Sequence, residues 1–255
     1  MTKNDMDQQS ATLRALAVIE TIARAGGPST LTDIMAATGL PKPTAHRILT
    51  LLEGAGMLAR EPKGKRYAPG ARLSALSLDV LSNTAWRAPR HAILQSLVND
   101  IGETCNLTML DGTEVVYLDR VEAAWPLRLH FQSGSRVPAH CSASGKLLLA
   151  LMPTRTRQRI VGTLPLQRFT PYTITTPGAL EEALRRIRKD NVSTDNEEYL
   201  AGTVCVAVPV ENKERRVPAA LAVHAPTTRM TLALALRHLP ELRRAAAQLV
   251  DTFDA

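Results

Sequence analysis

From about Thr12 to Ala25 apolar positions recur at helical spacing. Leu13, Leu16, Ala17, Ile22 and Ala23 are the expected inner face, and Gly26-Gly27-Pro28 stops the run. Thr30-x-x-Asp33 is a capping-box-like start for a second helix, with Asp in place of the usual Glu, and Gly39 suits the left-handed residue that ends it. After Gly39-Leu40-Pro41-Lys42 a third helix places Ala45, Ile48, Leu49 and Leu52 at i, i+3, i+4 and i+7, one buried stripe. Pro43, His46, Arg47 and Thr50 fall on the opposite face, with Lys42 and Thr44 near its start. Two short helices joined by a Gly-containing turn, the second with polar and basic residues outward, have the form of a helix-turn-helix. An ordinary helical hairpin with a solvated face is the plain alternative.

Met57 to Glu61 and Arg66 to Pro69 flank Pro62-Lys63-Gly64-Lys65, which predicts a two-stranded hairpin with Lys63, Lys65 and Arg66 at or beside its tip. Directly after a helix-turn-helix such a hairpin is a wing whose cations meet phosphate; by itself it is a solvated turn. Gly70 to about Thr84 carries Leu73, Leu76, Val80 and Leu81 at helical spacing, a linker helix whose apolar stripe would pair with a second copy.

From Arg87 the pattern changes. A helix through Ile93, Leu94, Leu97, Val98 and Ile101 ends at Gly102. Thr104 to Leu110, an Asp111-Gly112 turn and Glu114 to Val121 form a hairpin, and Leu127 to Gln132 another strand. Helices are expected over Ser142 to Met152, over Thr154 to Val161, and from Pro177-Gly178 through Ile187. Val204 to Val208 alternates as a strand, Asn212-Lys213 turns, and Val217 to His224 returns. The last helix begins near Thr228, is broken at Pro240 and ends near Phe253. Hairpin-joined strands with helices beside them give an α+β domain on an antiparallel sheet.

Charge sharpens the N-terminal reading. Of a net +7 over 255 residues, +5 lies between Lys42 and Arg72. Such a concentration is the electrostatic footprint of a polyanion partner, here double-stranded DNA. Aromatic residues are 4% of the chain, which argues against single-strand binding by base stacking. There is no run of about 18 apolar residues for a membrane span, and Met1 to Asp5 lacks a signal-peptide core. Three scattered cysteines suit a reducing cytoplasm.

The candidate chemistry is weaker. His140-Cys141-Ser142-Ala143-Ser144-Gly145-Lys146 opens a helix with small residues that admit an anionic ligand, or is a plain capped start. Asp195-Asn196-Glu197-Glu198 taken alone is a solvated acidic turn. Cys141 or Cys205 with His140 or His224 lacks a third orienting group, so hydrolase chemistry is disfavoured. Paired zinc-ligand spacing is absent. No catalytic residue, metal site or cofactor is expected.

Taken together, Gly39 to Leu49, then Leu51, Glu53 and Gly56, then Arg66, Tyr67, Pro69 and Gly70, with Arg136 to Lys146, Asp195 to Glu198 and Gly202 to Pro209, resemble the IclR (isocitrate lyase regulator) family of bacterial transcription factors over nearly the full length. The family usually has Ser where Pro43 stands. The resemblance implies a winged helix-turn-helix (1–72), a linker helix (73–86) and a GAF-like effector and oligomerisation domain (87–255). It implies dimers or dimers of dimers on palindromic operators. DNA contacts then fall to Lys42, Pro43, Thr44, His46, Arg47, Thr50, Lys63, Lys65 and Arg66. Carried over residue by residue, the effector pocket is Ala143, Ser144, Asp195, Cys205, Ala222 and His224; small polar residues often occupy the last two positions. Family effectors are commonly small organic or aromatic acids, and a carboxylate would pair with His224 and raise its pKa. The alternatives are a thiol or metal sensor using Cys105, Cys141 and Cys205, and an enzyme with an accessory DNA domain.

Overall fold

The structure, a computed structural model, describes residues 10–25, 27–61, 65–82, 84–124, 134–211 and 219–253. The chain divides into two compact units, Met1–Val80 and Leu81–Ala255.

In the first unit α1 (Ala11–Arg24), β1 (Ser29–Thr30), α2 (Leu31–Thr38), α3 (Lys42–Gly54), β2 (Leu58–Arg60) and β3 (Arg66–Pro69) precede α4 (Ala71–Ser82). Both bonds of the capping box form: Thr30 donates its N–H to Asp33 Oδ2 at 2.9 Å, and Asp33 returns its own to Thr30 Oγ1 at 3.2 Å. Gly39 ends α2 at φ +68°, in the left-handed region as expected. Ala45, Ile48 and Leu49 are buried against Val18, Ile22, Ile34, Leu58 and Tyr67.

The inner face of α1 differs from expectation. Val18 and Ile22 face the core with Ala15 and Ala17 beside them, whereas Leu13 and Leu16 are about half exposed and Ala23 lies outside. The helix carries two apolar stripes, and periodicity does not say which one meets the core. β3 lies between β1 and β2, so the wing hairpin is anchored to the strand that enters α2. Gly70 sits where a Cβ would come within 2.3 Å of Gly56 O, which locks the base of the wing to the end of α3.

The second unit contains α5 (Thr84–Ile101), β4 (Thr104–Asp111), β5 (Glu114–Val121), β6 (Arg136–Pro138), α6 (Ala143–Leu151), α7 (Thr154–Val161), α8 (Pro177–Asp190), β7 (Ser193–Asn196), β8 (Thr203–Val210), β9 (Ala219–Pro226), α9 (Leu232–Arg237) and α10 (Leu239–Val250). Among the described residues the sheet has six strands in the order β6-β5-β4-β9-β8-β7, all antiparallel. α6 packs on one face with α8 against it; α5 and α10 pack on the sheet as well, α5 on β4 and β5 and α10 on β8 and β9. The first of these cores gathers Val115, Tyr117, Leu147, Leu148, Leu180, Leu184, Ala207 and Ala222.

Two expectations are corrected here. Asp195 and Asn196 belong to an edge strand, Ser193 to Asn196, paired with β8, and not to a solvated turn. The last helix starts at Leu232, capped by Thr231, because residues 227–230 form a turn returning to Pro226 O. The helix then breaks at His238, two residues before Pro240. The expected strand at Leu127 to Gln132 lies outside the described residues.

Candidate nucleic-acid interface and effector pocket

α3 begins without a side-chain cap: Pro41 is its N-cap and Pro43 lies in its first turn. Neither proline could donate an N–H, so α3 starts there at no hydrogen-bonding cost. Lys42, Pro43, His46, Arg47 and Thr50 are exposed, and Thr44 is half-buried. Thr50 Oγ1 donates to His46 O at 3.0 Å, which turns its hydroxyl back along the helix. Lys42 and His46 line one open groove with Thr30, Leu31, Thr32, Arg60, Lys65, Arg66 and Tyr67. This groove brings the start of α3 and the wing strands together. Pro43, Thr44, Arg47 and Thr50 lie elsewhere on α3, and Lys63 lies outside the described residues.

Arg60 was not anticipated. Its guanidinium lies 5.8 Å from the centre of the Tyr67 ring across the β2–β3 pair, so it is held over the groove. Its place beside the basic tip was the available signal.

In the second unit a cavity opens between the sheet, the start of α6 and the loop after β7. As the side chains stand it is small, with an enclosed volume of about 30 Å³. Ala143, Ser144, Asp195, Cys205 and His224 line it, together with Asn106, Thr108, Tyr117, Tyr199 and Thr203. Ala222, the sixth expected residue, is fully buried beneath and does not line it.

Sheet register explains this convergence. Asp195 pairs with Cys205, and Cys205 with His224, so three neighbouring strands present one row. At α6, Ser142 accepts the Gly145 N–H at 3.2 Å and donates to Pro138 O at 2.9 Å. Gly145 is required there, since a Cβ would lie 2.4 Å from both Ala139 Cα and Ala139 O.

The loop after β7 closes the cavity through its own hydrogen bonds. Asp195 Oδ1 accepts the Glu198 N–H at 2.7 Å, and Glu197 Oε2 accepts that of Gly202 at 2.8 Å with Glu197 itself at φ +61°. Thr170 and Thr173 donate to the carbonyls of Glu197 and Glu198, each at 2.6 Å. Lys146 on α6 makes a buried ion pair with Glu198.

These surroundings set the protonation states. Burial, reinforced by the Glu198 charge, pushes Asp195 up to about 7. Burial, then Arg120 and Arg229, pushes His224 down to about 4. The expectation that a carboxylate raises His224 concerns a bound effector; burial and the two cations act in the opposite sense. Burial raises all three thiols, Cys141 to about 12, and the Asp195 charge adds to this at Cys205. A row ordered acid, thiol, imidazole puts the acid against the sulfur, not behind the imidazole, and so does not generate a thiolate. Among the described residues no group of three or more His, Cys, Asp or Glu is placed to hold a metal.

Residues 11–62 match the family model described as "IclR helix-turn-helix domain", and residues 78–251 match "Bacterial transcriptional regulator IclR C-terminal". The chain belongs to the IclR family. Its relatives include the "Probable transcriptional regulator SauR" of Cupriavidus necator, 48% identical over 96% of this chain and 97% of that protein. The "Transcriptional repressor IclR" of Escherichia coli is 30% identical over 88% of this chain and 82% of its own length. Among solved structures, the Thermotoga maritima IclR matches with a TM-score of 0.63 at 27% identity, covering 96% of this chain and 98% of that one. An IclR homolog from Microbacterium hydrocarbonoxydans, complexed with 4-hydroxybenzoate, matches with a TM-score of 0.59 at 27% identity, covering 96% and 99%. The IclR assignment makes this chain a transcriptional regulator with an N-terminal helix-turn-helix and a C-terminal antiparallel-sheet domain. Among the described residues no helix is long and apolar enough to cross a membrane.

Proposed function

We propose that this IclR-type regulator binds a palindromic operator as a dimer or tetramer and is controlled by a small organic acid, carboxylic or aromatic. The DNA reader is the winged helix-turn-helix of residues 1–72, followed by a linker helix over 73–86 and an effector domain over 87–255. The observation that carries this reading is the groove in which Lys42 and His46 of α3 face Arg60, Lys65 and Arg66 of the wing. Such a constellation suits a helix in the major groove flanked by phosphate-binding cations. Pro43, Thr44, Arg47, Thr50 and Lys63 complete the DNA-contacting set.

The effector sits among Ala143, Ser144, Asp195, Cys205 and His224, with Ala222 shaping the floor. A homologue complexed with 4-hydroxybenzoate supports an acid ligand. Exposed Leu13 and Leu16 on α1, and Leu76 and Val80 on α4, suit contact with a second copy. The protein works in the cytoplasm and is not an enzyme.

The test is selection of genomic fragments by the purified full-length protein, then titration of the bound complex with small acids. Recovery of a palindromic site whose occupancy changes with one acid is expected. Indifference to duplex DNA at low ionic strength would overturn the reading. The raised thiol pKa values weigh against the sensor alternative.

A further inference from the structure

We infer that Asn106 on β4 is a specificity-determining residue of the effector pocket, its carboxamide N–H donating to the effector's carboxylate. This rests on the acid-effector reading and deepens it, by naming the group that meets the acid.

Most of the hydroxyl groups around the cavity are already committed to the fold. Thr108 donates to Ala220 O at 3.3 Å, Thr203 to Leu200 O at 2.7 Å and Ser142 to Pro138 O at 2.9 Å. These bonds stiffen the wall and leave no proton for a ligand. Asp195 Oδ1 is likewise engaged, by the Glu198 N–H. Asn106 differs. It lines the cavity and is only 3% exposed, yet among the described residues its side chain makes no hydrogen bond. A carboxamide carries two N–H donors and an acceptor. Buried without partners, it costs the fold stability, and an apolar side chain there would cost none.

The register explains why the fold supplies no partner. Asn106 pairs with Ala222 of β9, and Ala222 with Ala207 of β8. Both of those neighbours are methyl groups, so nothing on them can bond to the carboxamide. A buried, uncommitted donor at the wall of a cavity is a group held ready for a ligand.

The charges around the cavity decide what that ligand group is. Among the described residues that line it there is no Lys or Arg, and the one carboxyl is Asp195. His224, pushed down to about 4, is a neutral imidazole at pH 7. A carboxylate entering here is therefore met by neutral donors, and hydrogen bonds from such donors to an anion are about twice as strong as those to a neutral acceptor. Asn106 stands three strands from Asp195, which lies on the edge strand β7, so its N–H groups hold the anion on the side away from that acid. The enclosed space of about 30 Å³ has room for roughly two water-sized groups, which keeps a bound carboxylate close to the lining carboxamide.

The test uses the full-length protein, with glycolate, 3-hydroxypropionate and 4-hydroxybenzoate each paired with its neutral amide. Binding is read by calorimetry and stability by thermal unfolding. Wild type is expected to prefer acids to amides. Asn106→Asp keeps the shape but turns the donor into a carboxyl; it should weaken acid binding at least about tenfold and remove the preference over amides. Asn106→Ala breaks no hydrogen bond of the described fold, so it should unfold near the wild-type Tm while binding acids at least about tenfold more weakly. Acids bound by both variants as by wild type overturn the inference and leave the acid-effector reading standing. So does an Asn106→Ala variant with a much lower Tm that loses acids and amides alike, or one that fails to fold, because the carboxamide is then structural. Wild type that binds amides but no acid overturns both.

Discussion

Asp195 on β7 and Cys205 on β8 are register partners, and their side chains share one buried face of the sheet. Neither is ionised cheaply there. Between its ordinary value of 3.8 and about 7, Asp195 keeps a proton in the folded protein that the unfolded chain has released. Its contribution to stability is therefore full at low pH and is lost as pH rises through that window. His224 has the opposite sign: it stays neutral when folded while the unfolded chain charges between 6.5 and about 4, so its contribution is lost as pH falls. The two slopes oppose each other between about 4 and 6.5, and the Asp195 slope alone remains near 7. Lys146, Glu198, Cys141 and Cys205 also act on Asp195, or it on them, and none of these cancels its burial.

Asp195→Asn keeps an Oδ1 acceptor for the Glu198 N–H but removes the titration. The variant should be more stable than wild type at pH 8, by on the order of 2–4 kcal/mol, and near wild type at pH 3.5. Urea denaturation at the two pH values measures this. Equal stability at pH 8 would show that Asp195 ionises in the fold without penalty.

Gly145→Ala tests the close approach at the mouth of the pocket. The atoms that a new methyl would strike belong to the Ala139 backbone and have no rotamer by which to move aside. The substitution should cost about 2–4 kcal/mol and displace Ala143 and Ser144 from the cavity wall. Loss of effector response should accompany a lower Tm, while a nearby change such as Gly178→Ala, where a Cβ meets nothing within 4 Å, should leave the response intact.

Much of this architecture is legible locally. The Thr30–Asp33 box, the left-handed Gly39 and the Ala45–Ile48–Leu49 stripe each depend on residues within one helix. The Asp111-Gly112 hairpin is equally local, with Gly112 at φ +63°. What escaped depends on distant partners. Ser193-Thr194-Asp195-Asn196 is too polar to signal a strand, and Asp195 is buried only because Cys205 pairs with it and the following loop folds back over it. On α1 the expected Ile22 and Ala17 do face the core, but Leu13 and Leu16 make a more visible stripe than the buried Val18 and point outward. The bulge in β5 at Leu118, where Leu107 pairs with Asp119 but Thr108 with Tyr117, likewise leaves no local mark. Ala222, placed at the site by resemblance, pairs with Ala207 and Asn106, one row away from Asp195, Cys205 and His224, and does not line the cavity.

The basic groove predicts two different DNA phenotypes. Lys65 is exposed beside the wing tip, where a cation meets phosphate and cannot read a base. Lys65→Ala should weaken binding to all duplexes and reduce the slope of log affinity against log salt by about 1. Arg47 is exposed on α3, where a guanidinium reaches base edges. Arg47→Ala should cost about 1–3 kcal/mol on the operator and relax discrimination at one base pair. Fluorescence anisotropy on operator and scrambled duplexes at several salt concentrations separates the two. Wild-type behaviour from both variants would remove α3 and the wing from the interface.

The cysteines supply the last expectation. Cys105 and Cys141 are fully buried and Cys205 nearly so, all without disulfides. Their thiols are pushed above the ordinary value by burial, so the reactive thiolate is scarce at neutral pH. A thiol reagent should therefore label the native protein slowly and the urea-unfolded protein at once. Cys205 lines the pocket, so a bound effector should slow its labelling further. Replacing all three by Ser should leave operator affinity unchanged, because the first unit contains no cysteine. Rapid stoichiometric labelling of the native protein, with loss of operator binding, would restore the thiol-sensor reading in place of the acid effector.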